Sequence, residues 1–280
     1  MESGFQTKQE FLDKDFSKFC GLVAQHTGIN LSEGKVDMVY RRFAPRIKKL
    51  GLSNFSEYCS EIQKGDANEL LEFSNLITTN LTSFFRENHH FEYLAKDFLP
   101  KLKQRNAPSK RVRIWSAGCS TGEEPYSIAM TLRESFPEVS RWDAKILATD
   151  LDTNCLERAR SGLYPQKTIE GVSEPRLKKW FKLDKRNPDL VTATANEELK
   201  SLIRFNHLNL MNEWPFKGQF DIIFCRNVMI YFDKPTQAKL VKRFSQHQKK
   251  GDLLIIGHSE NIGLITSDYK LIGHTIYERN

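Results

Sequence analysis

Val112-Arg113-Ile114-Trp115 is a short apolar run that leads directly into Ser116-Ala117-Gly118-Cys119-Ser120-Thr121-Gly122, and a helical pattern follows from about Glu124 to Phe136. A strand, a loop of small residues and a helix in that order open a parallel α/β sheet, whose ligands gather at the carboxyl ends of the strands. Small side chains let the backbone approach a ligand closely, and the helix start offers free N–H groups. The pattern continues. Lys145-Ile146-Leu147-Ala148-Thr149 reads as a second strand ending at Asp150, with a helix from Thr153 to Ser161. Phe220–Cys225 and Leu253–Gly257 read as further buried strands, with a helix from about Thr236 to Lys249 between them, and Leu271–Glu278 as an edge strand that finishes the sheet. Alternation of this kind predicts a mostly parallel sheet with helices on both faces.

The loop narrows the ligand. Glu123 and Glu124 stand at the helix start, the wrong sign for a phosphate and acceptable for the sulfonium and ammonium of S-adenosylmethionine. The full GxGxxG spacing is missing; NAD stays open on pattern alone, although the two acids disfavour its pyrophosphate. Asp150 at the end of the second strand suits both hydroxyls of a ribose, while Asp150 and Asp152 equally suit capping of the next helix. Cys119 reads as a small packing residue rather than a nucleophile, and His258 as either substrate-facing or a satisfied polar group.

Before this region the chain reads differently. From about residue 8 to 75, Phe11, Phe16, Phe19 and Val23, then Val36, Val39, Phe43, Ile47 and Leu50, recur at three- and four-residue steps. Three or four helices are expected, with Ser53-Asn54 capping one of them and Pro45 kinking or dividing another. The expected organisation is a helical N-terminal domain with a connecting segment over 1–90, then a cofactor-binding domain over 91–280 carrying an insertion at about 162–202. Within the insertion, a short helix near Arg176–Phe181 and a strand over Leu190–Thr194 are expected.

Several classes are disfavoured. The five cysteines are odd in number and form no CxxC pair, and the seven histidines are scattered apart from His89-His90, so no metal site is expected. Reduced thiols, a polar N-terminus and the lack of an apolar run of roughly 18 residues point to the cytoplasm, with no membrane insertion. The net charge of +7 is modest, but Lys35, Arg41, Arg42, Arg46, Lys48 and Lys49 crowd one segment opposed only by Asp37. If Pro45 leaves the helix intact, Arg42, Arg46 and Lys49 share a face that could dock an acidic partner; a solvated surface is the alternative. Nucleic acid is not the expected partner of this patch.

Five ordered segments carry a family likeness: Thr79–Glu87 (TNLTSFFRE), Ile114–Ser127 (IWSAGCSTGEEPYS), Ala148–Asp152 (ATDLD), Phe220–Phe232 (FDIIFCRNVMIYF) and Gly257–Asn261 (GHSEN). Together they resemble the CheR family of chemotaxis-receptor methyltransferases. The resemblance implies an all-helical domain joined to a class I methyltransferase domain, S-adenosylmethionine as cofactor, and transfer of its methyl group to glutamate γ-carboxylates on cytoplasmic chemoreceptor helices. By motif position it implies cofactor contacts from Asn80, Thr82 and Arg86, from Glu124 and Asp150, from Asn209 and Leu210 on the adenine side, and from Arg226 and Asn227 at the methionyl end. Arg86 and Tyr231 would lie nearest the transferred methyl. A glutamate carboxylate, with a pKa of about 4.3, is already ionised, so no general base is required. Some family members bind a receptor-tail pentapeptide through a Gly-rich turn; the comparable stretch here, Lys182–Leu190, has no glycine, which disfavours that tether. The alternatives are methylation of another substrate such as RNA, although Arg226-Asn227-Val228-Met229 replaces the Asn/Asp-Pro-Pro-Tyr turn common in such enzymes, and a non-catalytic scaffold.

Overall fold

The computed structural model describes residues 5–187 and 191–280. The chain forms two compact units: residues up to Thr79 together with Tyr231–Thr236, and Asn80–Ile230 together with Gln237–Asn280.

The first unit holds α1 (Lys8–Lys14), α2 (Phe16–Thr27), α3 (Val36–Lys49), α4 (Phe55–Gln63) and α5 (Ala67–Ile77). Five helices therefore stand where three or four were expected. Thr7 and Glu10 close a reciprocal capping box on α1, and Asn54 and Asp66 cap α4 and α5. The apolar steps converge on an aromatic core in which Phe11 stacks on Phe55 at 3.8 Å between ring centroids and Phe19 meets Phe43 edge-on at 4.8 Å. Leu50 falls just beyond α3 and is exposed. Pro45 lies inside α3, which runs on through it as one helix.

The second unit opens with α6 (His89–Tyr93), a π-turn over Leu94–Phe98 and α7 (Leu99–Arg105). Then come β1 (Arg111–Ala117), α8 (Glu123–Ser135), β2 (Asp143–Asp150), α9 (Thr153–Ser161), β3 (Leu163–Pro165), α10 (Gln166–Ile169), α11 (Glu174–Trp180), β4 (Phe181–Asp184), β5 (Thr192–Ala195), α12 (Glu197–Lys200), β6 (Ile203–His207), β7 (Ile222–Cys225), α13 (Lys234–Gln246), β8 (Leu253–Ile256), β9 (Tyr269–Gly273) and β10 (Ile276–Arg279). The main sheet has the order β6-β2-β1-β7-β8-β10-β9. Its first five strands are parallel, and β10 is antiparallel to both neighbours. The direction of strand progression reverses between β1 and β7, the place where such sheets bind ligands.

Two differences from the sequence reading concern the sheet edges. The expected single edge strand over Leu271–Glu278 is a hairpin, because His274 and Thr275 both take positive φ (23° and 60°) and turn the chain back. At the other edge β6, polar at three of five positions, pairs with β2 and was not expected at all. The insertion is a small antiparallel sheet, β3-β5-β4, with α10 and α11. It leaves and rejoins the core at one point, where Ala195 N–H donates to the Gly162 carbonyl at 2.9 Å. Of the expected strand over Leu190–Thr194, and of the glycine-free stretch Lys182–Leu190, residues 188–190 lie outside the described residues.

Candidate active site

The loop after β1 demands glycine twice. Gly118 has φ 103° and Gly122 φ 99°. A Cβ on Gly118 would come within 2.3 Å of Val228 Cγ2, and one on Gly122 within 2.8 Å of the Tyr164 hydroxyl. The loops after β1 and β7 are thus in contact at the switch point. Gly118 N–H and Cys119 N–H both donate to the Thr149 carbonyl, at 2.8 and 2.9 Å, and the Tyr164 hydroxyl donates to the Thr121 carbonyl at 2.9 Å. Cys119 is buried, and burial with the nearby Asp150 and Glu124 holds its thiol well above the ordinary range, so it is no thiolate nucleophile.

Asp150 ends β2 beneath this loop. Its Oδ2 accepts from Ser120 N–H at 2.7 Å and its Oδ1 from Asp152 N–H at 2.9 Å. Burial pushes its carboxyl up to about 6, against the pull of these amides. Helix capping falls instead to Asp152, which accepts from Asn154 and Cys155 N–H. Asn80 braces the same corner: its side chain donates to Asp152 at 2.7 Å and its carbonyl accepts from Ser120 Oγ at 3.1 Å.

Across the switch point sits a buried charge cluster. Glu124, in the first turn of α8, accepts from Ser116 Oγ at 2.7 Å and pairs with Arg226 Nη1 at 2.9 Å. Arg226 also donates to the Arg86 carbonyl and stands 3.6 Å from Glu87. Only 2% of its side chain is exposed, yet Arg226 Nε has no hydrogen-bond partner among the described residues. An orphaned buried guanidinium donor beside a buried carboxylate fits a zwitterion such as an amino-acid moiety. Arg86 is half-buried and donates to the Leu81 carbonyl at 2.8 Å; Thr82 is half-buried in the same turn. Asn209 Oδ1 accepts from Met211 N–H in the loop after β6, beside buried Leu210.

Two acids with no role in the sequence reading organise the cluster. Glu260 accepts from the N–H groups of Gly257, Asn227, Val228 and Ile230 at 2.6 to 3.2 Å, fixing the turn in which Asn227 takes φ 59°. Glu87 accepts from His258 N–H at 3.1 Å and from Asn227 Nδ2 at 3.4 Å, and meets His258 Nδ1 at 2.9 Å. Burial pushes the Glu87 carboxyl up, but His258, Arg226 and Asn227 together hold it below its ordinary value. The motif segments contain both acids; only their distant partners reveal the task.

One family model, "CheR methyltransferase, SAM binding domain", matches residues 80–277, and a second, "CheR methyltransferase, all-alpha domain", matches residues 14–78. The chain belongs to the CheR methyltransferase family. Its relatives include a probable chemotaxis protein methyltransferase of Rhizobium etli, 46% identical and covering 91% of this chain and 96% of the relative. Chemotaxis protein methyltransferase 2 of Pseudomonas aeruginosa is 43% identical over 94% and 92% of the two chains, and the Salmonella typhimurium chemotaxis protein methyltransferase is 41% identical over 95% and 90%. The sheet unit is the class I methyltransferase fold, S-adenosylmethionine is the cofactor, and the activity is that of a chemotaxis protein methyltransferase.

The remaining expected CheR residues lie in the helical unit. Tyr231 is half-buried, and its carbonyl accepts from Asn30 N–H at 2.8 Å. Arg42 donates to the carbonyls of Leu76, Ile77 and Thr78, closing the end of α5. Arg46 pairs with Glu69, which also accepts from the Tyr58 hydroxyl at 2.8 Å. Both arginines thus have partners inside the unit, whereas Lys49 is exposed. No helix among the described residues is long and apolar enough to cross a membrane.

Proposed function

We propose that this CheR protein acts in the cytoplasm and transfers the methyl group of S-adenosylmethionine to glutamate γ-carboxylates on chemoreceptor helices, forming methyl esters. The observation that carries this reading is the match over both domains to relatives that are named chemotaxis protein methyltransferases. The acceptor carboxylate is ionised at neutral pH, so the protein need supply only placement and a dry site. Arg226 and Glu124 hold the carboxylate and ammonium of the methionyl end, a role that suits their buried pairing. Asp150 receives the ribose hydroxyls, Asn209 and Leu210 flank the adenine, and Asn80, Thr82 and Asn227 complete the cradle. Arg86 orients the incoming carboxylate, and Tyr231 positions it through one hydrogen bond. Lys49, with Arg42 and Arg46 on the same helix, steers the acidic receptor surface; recognition is direct and needs no receptor-tail pentapeptide.

The test is transfer of labelled methyl to chemoreceptor membranes, with release of the label as methanol in mild base. Label that resists base, or that enters RNA, overturns the proposal. Tyr231→Phe is expected to lower kcat about tenfold, the worth of one hydrogen bond, with unchanged affinity for S-adenosylhomocysteine in calorimetry. Lys49→Glu is expected to raise KM for receptor at low salt, with the difference shrinking as salt is added.

The proposed role of Asp150 predicts a pH dependence. A ribose hydroxyl binds the ionised carboxylate best, and Asp150 loses its proton through about pH 6 in the folded protein. Affinity for S-adenosylhomocysteine is therefore expected to rise with pH across that region and to level off above 7. Asp150→Asn is expected to weaken binding and to flatten the profile. Because burial raises this group above its unfolded value, its contribution to stability has the opposite sign: it favours the folded state more as pH falls through 6.

A further inference from the structure

Three of the seven histidines, His89, His90 and His258, gather around Glu87, and His274 packs on His89, outside the residues assigned to the cofactor. Glu87 takes φ 54°, which turns the chain just before α6 and brings its carboxylate back over the first residues of that helix. The rings of His89 and His90, adjacent in sequence, lie 4.1 Å apart between centroids.

His90 is fully buried. Its Nε2 lies 3.0 Å from both the His274 carbonyl oxygen and Thr275 Oγ1. A carbonyl only accepts, so Nε2 carries the proton and Nδ1 presents a bare lone pair. That Nδ1 has no hydrogen-bond partner among the described residues and lies 3.8 Å from Glu87 Oε2. A ring whose far N–H is tied to a backbone carbonyl and whose near nitrogen faces a carboxylate has the arrangement of a metal-ligating histidine. One ligand atom each from Glu87, His89 and His90 lies within 4.8 Å of the others. Ligands around a tetrahedral zinc ion lie about 3.4 Å apart. Metal binding would have to draw the three atoms together by up to that difference, and His89 is the exposed one of the two histidines.

We infer that Glu87, His89 and His90 form a binding site for a divalent transition-metal ion of the zinc class. The donor set of two imidazoles and one carboxylate favours zinc, nickel or copper over magnesium or calcium, with a fourth position left to water or to His258. The ion competes with Arg226 for Glu87. Given the proposed role of the Arg226–Glu124 pair in holding the cofactor, occupancy of this site weakens cofactor binding.

The test is calorimetric titration of the full chain with zinc chloride, beside His89→Ala. His89 is exposed and takes no part in the cofactor cradle, so this variant is expected to keep metal-free methyl transfer. The wild-type chain is expected to bind one zinc, and His89→Ala to bind it about tenfold or more weakly. Cobalt substitution is expected to show ligand-field bands without thiolate charge transfer. Equal zinc affinity in the two proteins, or a thiolate band, overturns the site. A second titration measures S-adenosylhomocysteine affinity with and without saturating zinc. Affinity reduced by zinc in the wild type but not in His89→Ala is expected; a zinc-independent affinity in a wild-type chain that binds zinc overturns the coupling alone.

Discussion

Arg226→Met is expected to abolish measurable binding of S-adenosylhomocysteine and to destabilise the fold by about 3 to 5 kcal/mol, because removing one partner of a buried pair leaves the other uncompensated. Here two carboxylates are stranded, Glu124 at 2.9 Å and Glu87 at 3.6 Å. Methionine approximates the shape of the arginine stem, so the loss reports charge and hydrogen bonding rather than a cavity. Urea unfolding and calorimetry measure the two effects separately. The double variant Arg226→Met/Glu124→Gln is expected to recover part of the stability, since one stranded charge is gone, while cofactor binding stays lost. Wild-type cofactor affinity in the single variant would show that the cluster is structural only.

Gly118→Ala is expected to be nearly as damaging, for a steric reason. The new methyl would sit 2.3 Å from Val228 Cγ2, and the backbone there has φ 103°. Positive φ costs a residue with a Cβ about 1 to 2 kcal/mol, and overpacking adds about 1 to 3 kcal/mol. Stiffening of the unfolded chain offsets about 0.4 to 1 kcal/mol of this. Val228→Ala in the same chain is expected to remove the steric part and leave the backbone part. The residual loss in the double variant, read from urea midpoints, separates the two. A fully restored double variant would show that the backbone at 118 carries no strain.

The legibility of this protein in its sequence follows the range of the interactions involved. β1, its loop and α8 were readable because an apolar run, small residues and a helical pattern follow one another along the chain, and α9 was readable from its cap. β6 was not, because an edge strand buries too little to be apolar throughout; Arg204 and His207 point to solvent. The terminal hairpin was missed because His274 and Thr275 take a turn conformation that neither residue type advertises. The site shows the same division. Asp150 and Glu124 could be singled out from their places after a strand and at a helix start. The tasks of Glu87 and Glu260 depend on partners 171 and 33 residues away, at His258 and Asn227, and no local pattern carries that information. Arg42 and Arg46 show the converse: a run of basic residues does not reveal that three carbonyls and one buried carboxylate engage two of them.

The hydrogen bond between Ala195 and Gly162 gives the small β3-β5-β4 sheet a single point of exit and return. A segment joined in that way is an exchangeable cassette: a recombination event with both junctions there leaves the parent framework in register. The exchange has fixed conditions: Arg176 and Trp180 of the cassette both bond Glu134, and Phe181 meets Phe84 edge-on. Tyr164 lies inside the cassette and its hydroxyl holds Thr121, so a donor lacking that tyrosine would bring new recognition at the expense of the cofactor loop. Substitution is therefore expected to be tolerated at the exposed positions of the cassette and to be constrained wherever it meets the framework.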